Sequence, residues 1–244
     1  MITWNHYKTW LEEKLIQAPR EGLPPQPDEI VYDTRAKSLA AQWFLPLVGE
    51  SFDGHDYIES ALEKGAQGAF CSKTKLSKVP IHLHPQMIVV EETLSALQAI
   101  AKGWRLTLKG LKLICLTGSV GKTTTKQLLG SILKEAGETL PFQNNLNNEI
   151  GVPQQLLKLK ESTQYGVLEL GARKIGDIDL LTRLCCPNYS LVLNVGSSHL
   201  GVFGSKEAIY KTKLELLASS PAGCELITYH DDPVLYRRAC QISQ

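Results

Sequence analysis

The stretch that most restricts the fold is residues 111–125, "LKLICLTGSVGKTTT": an apolar run, a short glycine-containing loop and the opening of a helix. A loop between a strand and a helix suits phosphate because successive backbone N–H groups and the helix N-terminus converge on an anion. Gly118 and Gly121 permit the turns, Lys122 is placed to reach β- and γ-phosphates, and the Thr123 hydroxyl suits Mg²⁺. One position departs from the pattern G-x-x-x-x-G-K-[ST], which asks for glycine where Leu116 stands. The rival reading is a plain capped helix start; the G-K-T-T placed between an apolar strand and an amphipathic helix favours nucleotide.

From this loop onward short apolar runs alternate with longer helical patterns, the signature of parallel strands joined by crossover helices. "LKLICLT", "TLPF", "YGVLEL", "YSLVLNV" and "CELITY" predict five strands, and Leu128, Leu129, Ile132, Leu133 and Ala136 mark one face of the helix after the loop. Right-handed crossovers then give a partial doubly wound, mostly parallel α/β sheet that takes ligands at the carboxyl ends of its strands. Residues 1–108 read as a smaller α/β domain, with a helical opening at about 4–17 and a Pro-rich bend "LPPQP". Helical spacing in "EETLSALQAIAKGWRLTL" predicts a connector, so the boundary is expected near residue 108, with 109–244 as the nucleotide-binding domain.

Charge is nearly balanced at a formal +1, which gives no electrostatic footprint for nucleic acid. No run approaches the roughly 20 apolar residues of a membrane span, and the start "MITWNHYKTWLEEKL" lacks a signal-peptide core, so a cytoplasmic location without membrane insertion is the expectation. The six cysteines form no C-x-x-C pair and read as free thiols of a reducing compartment.

Together with the loop, "NNLNNEIGVP" (144–153), "LELGA" (168–172), "NVGSSHLGVFGS" (194–205) and "YKTKLELL" (210–217) resemble the Mur ligases of peptidoglycan synthesis, and among them the D-alanyl-D-alanine-adding branch. That family's loop is T-G-x-x-G-K-T after an apolar residue, which accommodates Leu116. "DTR" (33–35), "FLPLVGESFDGHDYI" (44–58) and "ALEKGA" extend the resemblance to the first domain, where it implies uridine-nucleotide binding through Asp33, Thr34, Arg35, Asp53, Gly54 and His55.

The resemblance implies ATP binding by Thr117, Gly118, Ser119, Val120, Gly121, Lys122, Thr123 and Thr124, with Asn147 and Asn148 as further contacts. The two asparagines are equally suited to cap the helix that begins near Glu149. It implies Mg²⁺ at Thr123, Glu169, His199 and Lys213, and catalytic roles for Lys122, Lys213 and His199. Lys213 matches a lysine that the family carbamylates, a reaction that needs a neutral amine; Lys211, on another helix face, is the competing assignment.

The implied reaction phosphorylates the carboxylate of a UDP-N-acetylmuramoyl peptide with ATP, after which an incoming amine displaces phosphate. Family members continue well beyond residue 244, so ligation is expected only with further segments or a partner chain. The alternative is a non-catalytic module that binds nucleotide and UDP-sugar to regulate or scaffold wall synthesis. A P-loop kinase or GTPase is disfavoured, since neither N-K-x-D nor a later D-x-x-G is found. A homodimer, or a partner chain that covers an open sheet edge, is also expected.

Overall fold

In a computed structural model, residues 1–19, 22–140, 146–196 and 203–242 are described. The chain divides into two compact units, Met1–Trp104 and Arg105–Gln244.

The first unit is built on a five-stranded sheet. Its strands are β1 (Leu15–Gln17), β2 (Ile30–Val31), β3 (Trp43–Phe44), β4 (Gly68–Ser72) and β5 (Met87–Val90), in the order β1-β5-β4-β3-β2. β1 runs antiparallel to β5 and the other pairs are parallel. β4 and β5 are buried along their whole length, as strands covered on both faces must be. One face packs Phe44, Ala69, Cys71, Met87 and Val89 against Ile58 and Ala61 of α2 (Ile58–Glu63). The opening helix, α1 (Trp4–Leu11), is shorter than its spacing predicted. Glu12 takes a positive φ of 49°, which breaks the helix, and after a 3₁₀ turn the chain enters β1 as an edge strand.

A long helix, α3 (Thr93–Thr107), leads into the second unit. There the strands are β6 (Lys112–Thr117), β7 (Tyr165–Glu169), β8 (Tyr189–Val192) and β9 (Glu225–Thr228), all parallel, in the order β7-β6-β8-β9. The predicted "TLPF" strand reduces, among the described residues, to a single bridge between Thr139 and Tyr165; residues 141 and 142 lie outside them.

Among the described residues the helices of this unit are α4 (Lys122–Ala136), α5 (Gly151–Leu156), α6 (Asp177–Cys185), α7 (Lys206–Ala218) and α8 (Pro233–Ile242). From β6 the chain passes through α4 to the β7 side, then returns across β6 to β8 and β9. With right-handed crossovers this reversal puts α4 on one face and α6 and α7 on the other. The contacts agree: α4 lies on β6 and β7, while α7 lies on β8 and β6 and against α6. A reversal of strand order opens a crevice at the carboxyl ends of the strands on either side. The apolar residues of α4 do not all turn inward, since Leu128 and Ile132 are 60% and 66% exposed.

Candidate active site

The loop after β6 turns into α4 at Gly121, whose φ of +80° is a conformation that side chains rarely adopt. The first N–H groups of α4, on Lys122, Thr123 and Thr124, have no acceptor within the helix, the arrangement that suits a helix N-terminus to an anion. Lys122 folds over the loop, its Nζ donating to the carbonyls of Gly118 (2.9 Å) and Ser119 (3.4 Å). Thr117 is fully buried and its hydroxyl donates to the Leu170 carbonyl.

Ser119 and Val120, expected at the phosphate, have their loop groups engaged within the protein. Both backbone N–H groups donate to Oδ1 of Asn194, each at 3.1 Å, and Asn194 Nδ2 donates back to the Val120 carbonyl. The Ser119 hydroxyl accepts from Gly196 N–H. Asn194 therefore ties the end of β8 to the phosphate loop and fixes the loop's shape. Sequence reasoning gave Asn194 no role, although a polar amide directly after the apolar run "SLVL" was the available signal.

Glu169 ends β7 and is buried, with both carboxylate oxygens engaged. Thr123 Oγ1 donates to one at 2.9 Å and Asn147 Nδ2 to the other at 3.0 Å. This brings together three residues from different segments. Asn148 instead accepts from the N–H groups of Ile150 and Gly151, and so caps α5.

Lys213 lies on α7, whose first turn is capped by Ser205. It is 3% exposed, with Nζ 3.4 Å from Thr117 Oγ1, whereas Lys211 is exposed. Burial, assisted by the nearby Lys122 charge, pushes its ammonium down to about 8. Lys126, also buried on α4, is lowered by desolvation. His199 lies outside the described residues.

These groups border a cavity of about 370 Å³, lined by Lys122, Asn147, Glu169 and Lys213 and also by Arg173 and Asp177. Its chemistry suits a phosphorylated ligand: Lys122, Arg173 and Lys213 line it, and Glu169, bonded to the Thr123 hydroxyl, supplies hard oxygen of the kind that Mg²⁺ prefers. Among the described residues no group of three or more His, Cys, Asp or Glu side chains gathers to hold a metal.

In the first unit Asp33 and Arg35 form an exposed bidentate ion pair, with Nη2–Oδ2 at 2.6 Å, and this arginine holds the Asp33 carboxyl down to about 2. Lys64 donates to the carbonyl of Thr34. Asp53, Gly54 and His55 are committed inward. His55 Nε2 accepts from Ser72 N–H, so the ring proton sits on Nδ1, 2.6 Å from Asp53 Oδ1. Asp53 also pairs with Lys75 at 2.8 Å. A Cβ at Gly54 would meet the Leu47 carbonyl oxygen at 2.6 Å, so glycine is required there by close packing. The Asp53–His55–Ser72 chain is a buried brace between the segment after β3 and the end of β4.

Comparison with known proteins agrees with this geometry. Residues 116–243 match the Mur ligase middle domain. The UDP-N-acetylmuramoyl-tripeptide–D-alanyl-D-alanine ligase of Synechocystis is 37% identical over 235 residues, 95% of this chain and 50% of that protein. The Bacillus subtilis ligase of the same name is 38% identical, over 87% of this chain and 46% of its own length. MurF from Acinetobacter baumannii superimposes with a TM-score of 0.82 at 32% identity, over 98% of this chain and 51% of that one. MurF from Thermotoga maritima, solved in complex with ADP, gives 0.78 at 30% identity, over 88% and 48%. The chain spans about half the length of the relatives it matches. Among the described residues no helix is long and apolar enough to cross a membrane. With its phosphate loop, its strand-end carboxylate and its buried helix lysine all inside the matched span, the chain belongs to the Mur ligase family and is MurF-like.

Proposed function

We propose that this chain binds Mg²⁺-ATP and a UDP-N-acetylmuramoyl peptide, and performs ligase chemistry when further segments or a partner chain complete it. The observation that carries this reading is the convergence of Lys122, Asn147, Glu169 and Lys213 on one cavity at the carboxyl ends of β6 and β7, with Thr123 bonded to the Glu169 carboxylate. The ADP bound to the Thermotoga maritima relative supports the nucleotide assignment.

In the proposed reaction a substrate carboxylate oxygen attacks the γ-phosphorus and ADP leaves. An amine nitrogen then attacks the acyl carbon, loses its proton and expels phosphate. Such transfers depend mainly on positioning and on neutralising developing charge. Lys122 and the first N–H groups of α4 hold the phosphates, and Asn147 and Thr123 orient Glu169. Mg²⁺, when bound at Thr123 and Glu169, supplies Lewis acidity towards the phosphate oxygens. His199 joins that set by family resemblance. Lys213 contributes as a carbamate: its neutral amine adds to CO₂ and loses a proton, which turns a cation into an oxygen donor. An amine near pKa 8 has far more free base at neutral pH than an ordinary lysine. The first unit is assigned the uridine nucleotide, through the exposed Asp33–Arg35 pair and Thr34 and, by family resemblance, Asp53, Gly54 and His55.

The test is incubation of the chain with Mg²⁺-ATP, UDP-N-acetylmuramoyl-tripeptide and D-alanyl-D-alanine, alone and with the second half of a MurF relative. Phosphate release and product are measured, alongside separate titrations of ATP and the UDP-sugar. Binding of both ligands, with ligation only in the complemented mixture, is the expected result. Binding without ligation in either mixture favours the regulatory or scaffolding module, and no binding of either ligand overturns the reading.

A further inference from the structure

Arg173 stands in the loop between β7 and α6 and lines the same cavity as Lys122 and Lys213. Its backbone is pinned: Arg173 N–H donates to Asp177 Oδ2 at 2.8 Å, and Lys174 N–H to the same oxygen at 3.0 Å. The loop around it is anchored as well, Gly171 N–H on the Asn147 carbonyl and Gly176 and Asp179 N–H on the two oxygens of Glu215. The Arg173 side chain, by contrast, makes no hydrogen bond or ion pair among the described residues. A long cationic arm on a fixed root is pre-organised to meet a ligand.

The charges around it decide what that ligand is. Glu169 spends both oxygens on Thr123 and Asn147, and Asp177 spends one on the loop backbone; Glu149 also borders the cavity. Lys122 already covers the phosphate loop and Lys213 sits beside Thr117. Both are point charges, whereas a guanidinium offers a planar fork that matches the two oxygens of a carboxylate.

We propose that Arg173 is the specificity-determining cation of this cleft, its guanidinium receiving the carboxylate that is to be phosphorylated. This rests on the ligase reading above. It assigns a residue to the acid substrate, separate from those assigned to ATP.

The experiment compares the affinity of the full chain for UDP-N-acetylmuramoyl-tripeptide with that for the analogue whose terminal carboxylate is a carboxamide, in the parent protein, Arg173→Gln and Arg173→Lys. The parent is expected to prefer the carboxylate by about tenfold or more, a preference that Arg173→Gln abolishes and Arg173→Lys keeps in part. Mg²⁺-ATP affinity, measured in parallel, stays within about twofold. Full carboxylate preference in Arg173→Gln overturns the proposal and leaves the ligase reading standing. A loss of ATP affinity equal to the loss of preference also overturns it, by making Arg173 a phosphate ligand. A parent protein that binds neither peptide overturns both.

Discussion

At the residue scale the two buried strand-and-helix charges, Glu169 and Lys213, are the informative ones. A carboxylate and an ammonium this deep are costly unless something uses them, and here hydrogen bonds from Thr123 and Asn147 hold the first while burial weakens the second. Lys122→Ala is expected to abolish ATP-dependent turnover in the complemented system and to weaken Mg²⁺-ATP binding by at least tenfold, since a charge-assisted contact is worth about 1.5–3 kcal/mol; full turnover in the variant would refute the assignment. Asp53 makes a pH prediction. Lys75, first, and then His55 hold its carboxyl well below the usual carboxylate range. Above about pH 4 it is charged in both folded and unfolded chains and its partners favour the fold. As pH falls the unfolded chain takes up the proton first, so the stabilisation drains away towards the lower pH at which the folded carboxyl protonates. Asp53→Asn should therefore cost roughly 1–3 kcal/mol at pH 7 and much less near pH 2. Denaturant titrations at the two pH values read this out, and an equal loss at both would contradict it.

At the scale of elements, helix ends do much of the positioning. Asn148 caps α5 directly beside Asn147, so the site asparagine is held by its neighbour's structural bond. Asn148→Ala is expected to lower stability by about 1 kcal/mol. ATP affinity should change far less than in Asn147→Ala, and calorimetric titration of both variants separates the two roles. The C-terminal end of α6 is held by Arg105, whose buried guanidinium donates to the carbonyls of Cys185 and Cys186 and to Asn188 Oδ1. Asn188 in turn accepts from Leu113 N–H at the start of β6. Arg105→Ala leaves these acceptors buried and should cost roughly 2–4 kcal/mol, measured as the midpoint shift in urea at constant slope; a loss under about 0.5 kcal/mol would show that they find other partners.

At the scale of the whole molecule, the sheet of the second unit is covered unevenly. By register Tyr189, Leu191, Glu225 and Ile227 share a face, and Ile227 is 45% exposed, whereas Ser190 and Val192 on the opposite face are fully buried. With Leu128 and Ile132 of α4 also exposed, this leaves apolar surface open of the kind that marks an interaction site. Association of the chain, as a homodimer or with a partner, is the expected consequence. Light scattering at roughly tens of micromolar checks it, and a strict monomer there would count against self-association.

Much of this was legible in the chain itself. The period-two and period-3.6 patterns located β6–β9 and the helices between them, because side-chain periodicity follows local backbone geometry. The G-K-T-T loop raised the expectation of phosphate, because glycine, lysine and helix start are contiguous. What contiguity could not carry was left to the tertiary structure. That Lys213 rather than Lys211 turns inward depends on which face of α7 meets the sheet. That Ser119 and Val120 answer to Asn194 depends on a strand end some 75 residues away. The helix expected to residue 17 ended early because Glu12 and the β5 edge, not local propensity, decide Leu15–Gln17. Local patterning was enough to locate most strands and helices and to mark one loop as suited to phosphate, since those properties are local; which side chains share the cleft was settled by packing, because it depends on distances between segments far apart in the chain.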